Sequence, residues 1–308
     1  MENRFSFRPD GTFRLMQLTD THFSIDPAID SRTDALLREL IAEEKPDFII
    51  HTGDAVYGPD SEAQLDLALA PLADSGIPWT FTFGNHDGEY LRNKEALFAH
   101  LQNMPGCVMW HDPASKDGLG NGWFSLNNEK GQTEWLLCCM DSGDYLPDER
   151  IGGYQYITAG QIQWYRDLMK NQEKKRPDFS AMVFMHIPLP EFEEVWRYET
   201  CYGMKRETVC SPKLNSGFFS ALVEAGHTKG LFAGHDHVND YWGALYGIAL
   251  GYGRQSGYGN YGALDYPRGC RIFLFREGNT ARFETWQRLS GGTVIRTPWV
   301  HHPCETRD

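Results

Sequence analysis

The chain has 308 residues, with 29 Lys plus Arg against 42 Asp plus Glu and a net charge of −13 at neutral pH. So acidic a surface repels polyphosphate backbones, which argues against non-specific nucleic-acid binding, and 13% aromatic residues rule out intrinsic disorder. No apolar run approaches the roughly 18 residues that a membrane helix needs, so no membrane partner is expected. From the N-terminus, Phe13–Thr19 reads as a strand and Arg32–Glu43 as a helix burying Ala35, Leu36, Leu40 and Ile41. Phe48–Thr52 is the next strand, followed by a helix over Ser61–Ala73 in which Ser61 and Gln64 form a capping-box signature. Trp79–Phe83 is a third strand and Asn93–Gln102 a third helix, after which Trp123–Leu126 and Trp135–Met140 read as a hairpin. Helical spacing returns at Ala159–Asn171, Ala181–Met185 is a strand, and Asn215–Ala225 is a helix that Gly226 closes in the left-handed conformation. Gly230–Ala233, Tyr241–Leu250, Arg271–Arg276 and Ala281–Gln287 complete a strand-rich end. Pro105–Asn121, Gly143–Thr158 and Pro188–Leu214 read as long loops, a kind that often carries function.

A βαβ-type first half and a more antiparallel second half imply an α/β protein of two mixed β-sheets packed together with helices outside. No repeat, low-complexity linker or charge block marks a boundary, so residues 1–308 read as one domain. Met1–Met16 lacks the apolar segment of a secretory signal, and if these are all the residues of the native chain a cytoplasmic location follows. None of the seven cysteines stands in a C-x-x-C pair, which argues against a thiolate zinc site. Cys201 and Cys210 could be bridged across a loop, but buried or loop thiols in a reducing compartment are the favoured expectation.

The chemistry sits where the strands end. Asp20 and His22 follow the first strand, Gly53-Asp54 the second and Gly84-Asn85-His86-Asp87 the third; His186 follows Ala181–Met185, and Gly234-His235-Asp236-His237 follows Gly230–Ala233. Carboxyl ends of strands are where α/β sheets bind ligands, so five separate segments can converge on one place. A lone Asp-x-His or Gly-Asp is usually a turn or a cap, and His51, His100, His111, His227, His301 and His302 are assigned to such structural roles. An ordered series of five is different. Asp, Asn and His without thiolate suit Mn, Fe or Zn. Seven such groups, before His86 is counted, are too many for one tetrahedral ion, whereas two ions about 3.5–4 Å apart would share them through a bridging carboxylate.

The ordered set Asp20-x-His22, Gly53-Asp54, Gly84-Asn85-His86-Asp87, His186 and His235/His237 resembles the calcineurin-like metallophosphoesterase superfamily. The stretches from His186 and Gly234, and the Gly251–Gly259 segment, resemble its single-domain branch related to purple acid phosphatases. The resemblance implies a four-layer αββα sandwich. It also implies that Asp20, His22 and His237 hold one ion, that Asp54 bridges, and that Asn85, His186 and His235 hold the other. The implied activity is a binuclear-metal phosphohydrolase, a phosphomonoesterase by preference, acting on a small-molecule phosphate ester. A phosphodiesterase on the same core and a non-catalytic scaffold are the alternatives. His86 would face the substrate, stabilising phosphate or protonating the leaving oxygen, and Asp87 would orient His86 or serve as a turn residue. Gly53-Asp54-Ala-Val-Tyr57 is similar to the purple acid phosphatase signature whose Tyr binds Fe(III), yet those enzymes normally lack the His of the first motif. His22 is therefore preferred as ligand and Tyr57 assigned to support or packing. Arg254, in the Gly-rich stretch that runs to Gly262, could take a phosphate oxygen, or that stretch could be only a turn between strands.

Overall fold

In the computed structural model, which describes residues 3–24, 26–58, 62–90, 93–262 and 265–303, the first part of the chain alternates strands and helices. It gives β1 (Arg4–Ser6), β2 (Thr12–Leu18), α1 (Pro27–Glu44), β3 (Phe48–His51), α2 (Glu62–Ala73), β4 (Trp79–Phe81) and α3 (Lys94–Leu101). Then come β5 (Gly122–Asn127), β6 (Thr133–Cys139), α4 (Ala159–Lys175), β7 (Ser180–Phe184), α5 (Glu191–Tyr198), β8 (Cys201–Tyr202), α6 (Phe218–Ala225) and β9 (Thr228–Ala233). The chain finishes with β10 (Trp242–Leu245), β11 (Ile248–Tyr252), β12 (Gly269–Arg276), β13 (Glu284–Leu289), β14 (Val294–Ile295) and β15 (Val300–His301). One sheet is ordered β1-β5-β6-β7-β9-β11-β10-β8-β15 and the other β14-β13-β12-β2-β3-β4.

Strand periodicity explains the layering. Successive side chains of a strand point to opposite faces. Phe13 and Leu15 of β2, Phe48 and Ile50 of β3, and Met182 and Phe184 of β7 meet in one cluster between the sheets. Their neighbours Met16, Leu18 and Ile49 pack under α1, α2 and α3, while Ala181 and Val183 pack under α4, α5 and α6. Both faces of the central strands are thus buried, so they read as near-continuous apolar runs, and the result is the expected αββα sandwich. Among the described residues no helix is long and apolar enough to cross a membrane.

Three expectations need correction. The run Tyr241–Leu250 is not one strand but the antiparallel pair β10–β11, reversed at Tyr246-Gly247, both with positive φ (48° and 82°). A Tyr in that conformation is uncommon, so the turn carried no recognisable signal. The stretch Pro188–Leu214 holds α5, which buries Phe192 and Val195, and the short strand β8 between β10 and β15. Finally, α1 begins at Pro27, earlier than the spacing indicated, because the Asp26 carboxylate accepts from the N–H groups of Ala28 and Ile29. Ser61 of the expected capping box lies outside the described residues. Cys201 and Cys210 are free, as are the other described cysteines.

Candidate metal centre

β2, β3 and β4 of one sheet and β7 and β9 of the other end at a common point, and each is followed by a short loop. Beyond β2 and β3 the loops stay zipped together: Asp20 N donates to Gly53 O (3.0 Å), His22 N to Asp54 O (3.1 Å) and Phe23 N to Ala55 O (2.8 Å). Four of the residues singled out here have left-handed backbones, Asp20 (φ 53°), His22 (44°), Asp54 (53°) and His235 (74°). Such non-glycine positions cost about 1–3 kcal/mol each and persist where the surroundings over-determine them. Here the loops pack without slack. A Cβ on Gly84 would lie 2.1 Å from Asp54 Oδ1, so only glycine lets the third loop close on the second.

The loops bring the side chains into two groups with one member in common. Ligand-type atoms of Asp20, His22, Asp54 and His237 lie within 4.8 Å of one another, and so do those of Asp54, His186 and His235. Asp20 Oδ1 is 3.4 Å from His237 Nε2 and 3.8 Å from His22 Nε2. Asp54 Oδ2 is 3.6 Å from His22 Nε2 and 3.1 Å from His186 Nε2. Asn85 joins the second group, its Oδ1 3.2 Å from His186 Nε2, while its Nδ2 donates to the Tyr145 hydroxyl (3.1 Å). Oδ1 of Asp54 is already engaged by the N–H of His86 (2.9 Å). Its Oδ2, fully buried between the two groups, has no hydrogen-bond partner, and neither has His22 Nε2.

These observations fit a cation. Buried polar atoms without partners are costly, and Asp54 Oδ2, a carboxylate oxygen, is an acceptor. The backbone carbonyl of Thr52 lies 2.7 Å from His186 Nδ1, which makes that atom the N–H and turns Nε2 inward, where it faces Asn85 Oδ1, Asp54 Oδ2 and His235 Nδ1 (3.2 Å). Burial, with the nearby His186, pushes His235 down to about 3, so it is neutral and offers a lone pair. Burial alone would discharge His186 as well, but the Asp54 carboxylate, together with Asp20 and the Thr52 carbonyl, lifts this ring to about 9. The anionic cluster thus favours positive charge at this position.

The structure reassigns two expected residues. Asp87 does not face His86 as an orienting partner. Its buried carboxylate receives the backbone N–H groups of Gly84 (2.8 Å), Asp54 (2.9 Å), Ala55 (2.9 Å) and Val56 (3.4 Å), stapling the second loop to the third. Burial, then the Asp54 charge, push it up to about 6. The carboxylate beside His86 is Glu89, with Oε2 2.9 Å from Nδ1. Arg254 is likewise no phosphate contact. It is 1% exposed, bonds to Asp240 and to the Pro267 carbonyl (2.8 and 2.6 Å), and lies 3.4 Å from the Tyr266 ring centroid. The Gly-rich stretch around it acts on the site through backbone: Ser256 N donates to Thr19 O (2.9 Å), Asn260 Nδ2 to Asp20 O (2.8 Å), and a Cβ on Gly257 would lie 1.9 Å from Thr21 O.

The rim is aromatic. Tyr57, 43% exposed, packs on His22 and edge-on against His86 at centroid distances of 6.1 and 5.2 Å. Tyr154 meets His235 edge-on at 4.4 Å, and Tyr261 lies 4.2 Å from His237. His86 is itself partly exposed, with Nε2 3.9 Å from Asp54 Oδ2.

Comparison with known proteins adds to this geometry. A family profile described as calcineurin-like phosphoesterase matches residues 13–239. An Arabidopsis thaliana protein named Probable inactive purple acid phosphatase 14 is 33% identical over 92% of this chain and 82% of its own length. Phosphatase DCR2 of Saccharomyces cerevisiae is 28% identical over 75% of this chain and 45% of its own. Among solved structures, a dimetal phosphatase from Danio rerio, 15% identical, matches with a TM-score of 0.63 over 92% of this chain and 98% of its own, a likeness of fold.

Proposed function

The chain belongs to the calcineurin-like phosphoesterase family, and on that premise we propose that it is a two-metal phosphomonoesterase acting on a small-molecule ester. One observation carries the reading: Asp54 Oδ2 is buried and common to both ligand groups, facing His22 Nε2 on one side and His186 Nε2 on the other. In the proposal Asp20, His22 and His237 hold one ion, Asn85, His186 and His235 the other, and Asp54 both, the ions being iron, manganese or zinc. When bound, such a pair activates water for attack and offsets charge on the phosphate oxygens.

The chain's own residues do the rest. His86 N–H fixes one oxygen of Asp54 so that the other faces inward, and the Thr52 carbonyl sets the tautomer of His186. His86 stands at the opening, where its Nε2 can give a proton to the leaving oxygen. The Arabidopsis relative carries the word inactive in its name. For this chain the scaffold reading is disfavoured by its complete set of ligand-type side chains together with His86. The test supplies Mn, Fe or Zn to protein purified without metal and compares an aryl phosphomonoester with an aryl phosphodiester. Turnover of the monoester with two ions bound supports the proposal. Preferential turnover of the diester would replace it with the phosphodiesterase reading, and no turnover with both ions bound would leave the scaffold.

A further inference from the structure

Away from the metal centre, the inner face of β10 is left partly uncovered. Gly243 and Leu245 face the helices: a Cβ on Gly243 would lie 3.0 Å from Val195 Cγ2, and Leu245 packs in the cluster under α4–α6. Trp242 and Ala244 face the other way; Trp242 reaches the margin of the inter-sheet cluster, and Ala244 is exposed. There a groove of about 570 Å³ opens between β10–β11 and β13. Trp242, Phe283 and Trp286 line it, and Trp242 is fixed by stacking on Tyr202 at 4.8 Å. Lys229, Arg282 and Arg296 line it too. None of the three has a carboxylate partner among the described residues, although acidic residues outnumber basic ones 42 to 29 in the chain. Glu284, the acidic residue of the lining, pairs with Arg276 at 2.9 Å. Lys229 owes its place to a bulge. Ala181 of β7 pairs with Thr228 and the next residue, Met182, with Gly230, so Lys229 is the extra residue of β9. The Thr228 hydroxyl meets Tyr165 of α4 (2.8 Å), and Gly230 lies against Met182 in the inter-sheet layer. A bulge re-aims one side chain, and here it turns a half-buried lysine into the groove.

We propose that this groove is a second ligand site, for a mononucleotide. Three cations without carboxylate partners answer a phosphate dianion, and aromatic walls answer a flat base, which stacks on such rings whatever its identity. Arg296 already lies over the Trp286 ring, 4.0 Å from its centroid, and its planar N–H fork matches phosphate oxygens. The volume falls within the range of about 300–1,000 Å³ usual for small-molecule sites. Two larger occupants fit less well. A chain of net charge −13 repels a polynucleotide. An added peptide strand would find only Glu284–Trp286 of β13 open, because β14 pairs with Gln287 and Arg288; a usual strand has about five or six residues. Lys229 stands at the start of β9 and His235 beyond its end, so the groove and the metal centre lie about 20 Å apart along the strand. The site is therefore independent of the phosphomonoesterase reading.

The test is calorimetric titration of the full chain, metal-loaded and metal-free, with a phosphonate analogue of adenosine monophosphate whose P–C bond resists hydrolysis. One equivalent is expected to bind in both forms of the protein. Adenosine and ribose 5-phosphate, each lacking one half of the ligand, should bind at least about tenfold more weakly. Lys229→Met and Arg296→Met, both at the surface, should each weaken binding of the analogue about tenfold, the low end for a hydrogen bond to a charged group. Trp242→Leu should weaken it by a similar factor through lost stacking, with circular dichroism confirming the fold. Binding that requires the metals, or that both charge variants leave unchanged, would place the nucleotide at the metal centre and overturn the proposal. So would ribose 5-phosphate binding as tightly as the analogue, since the base would then have no site. No binding to the metal-free chain, or displacement of the analogue by an equal concentration of a glutamate-rich peptide, would likewise remove the nucleotide from the groove.

Discussion

Replacing Asp87 with alanine separates its two assigned roles, orienting His86 or stapling loops. The carboxylate gathers four backbone N–H groups, three of them at 2.8–2.9 Å, in a site 1% exposed. A buried donor left without a partner costs about 1–3 kcal/mol. Relief from burying a carboxylate that its surroundings already push up to about 6 keeps each of the three near the low end, for a total of about 3 kcal/mol. That is a large share of a typical stability of about 5–15 kcal/mol, yet leaves a folded protein. Urea unfolding of the metal-free variant should show a lower midpoint with an unchanged slope. Metal binding should weaken in parallel, because the staple sets Asp54 against Gly84 and Asn85. An unchanged midpoint with both ions retained, and a loss confined to kcat, would refute the staple and restore Asp87 as a partner of His86.

Asp54→Asn is expected to abolish turnover and lower metal content, since the oxygen common to both groups loses its charge; near-normal rates with two ions retained would show that the centre is misplaced. His86→Ala should lower kcat about 10²–10⁴-fold with metal content unchanged, whereas loss of an ion on that substitution would make His86 a ligand. Tyr57→Phe should keep most activity while His22→Ala loses metal, and iron-loaded, oxidised protein should show no intense visible band. A purple protein that bleaches on Tyr57→Phe would exchange their roles.

The chemistry was legible because its residues follow apolar runs directly: Asp54 three residues beyond β3, His186 two beyond β7, His235 two beyond β9. A strand fixes the position of what comes next, so residue type and strand end together sufficed. The contributions of Glu89 and Tyr145 were not legible. Glu89 depends on a turn closing between His86 and itself, and Tyr145 acts across 56 residues from a hairpin with no strand pattern. The place of Arg254 was not legible for a related reason: its neighbouring glycines do not leave it free to reach a phosphate oxygen. Instead they let backbone press against Thr21 and His22, and the guanidinium was drawn inward to Asp240. The β10–β11 reversal was hidden by a tyrosine where an Asn-Gly pair would have signalled the turn.

The loop after β2 is fastened by residues far along the chain: His235 N donates to Asp20 across 215 positions and Asn260 Nδ2 to the Asp20 carbonyl across 240. During synthesis, Asp20, His22, Asp54 and Asn85 therefore emerge long before the imidazoles of His186, His235 and His237. The ligand set can be assembled only when the two ends of the polypeptide have met, a closure of high contact order and hence slow. Metal capture should lag behind most secondary structure in refolding, and release of the ions should report the parting of the two sheets rather than local fraying.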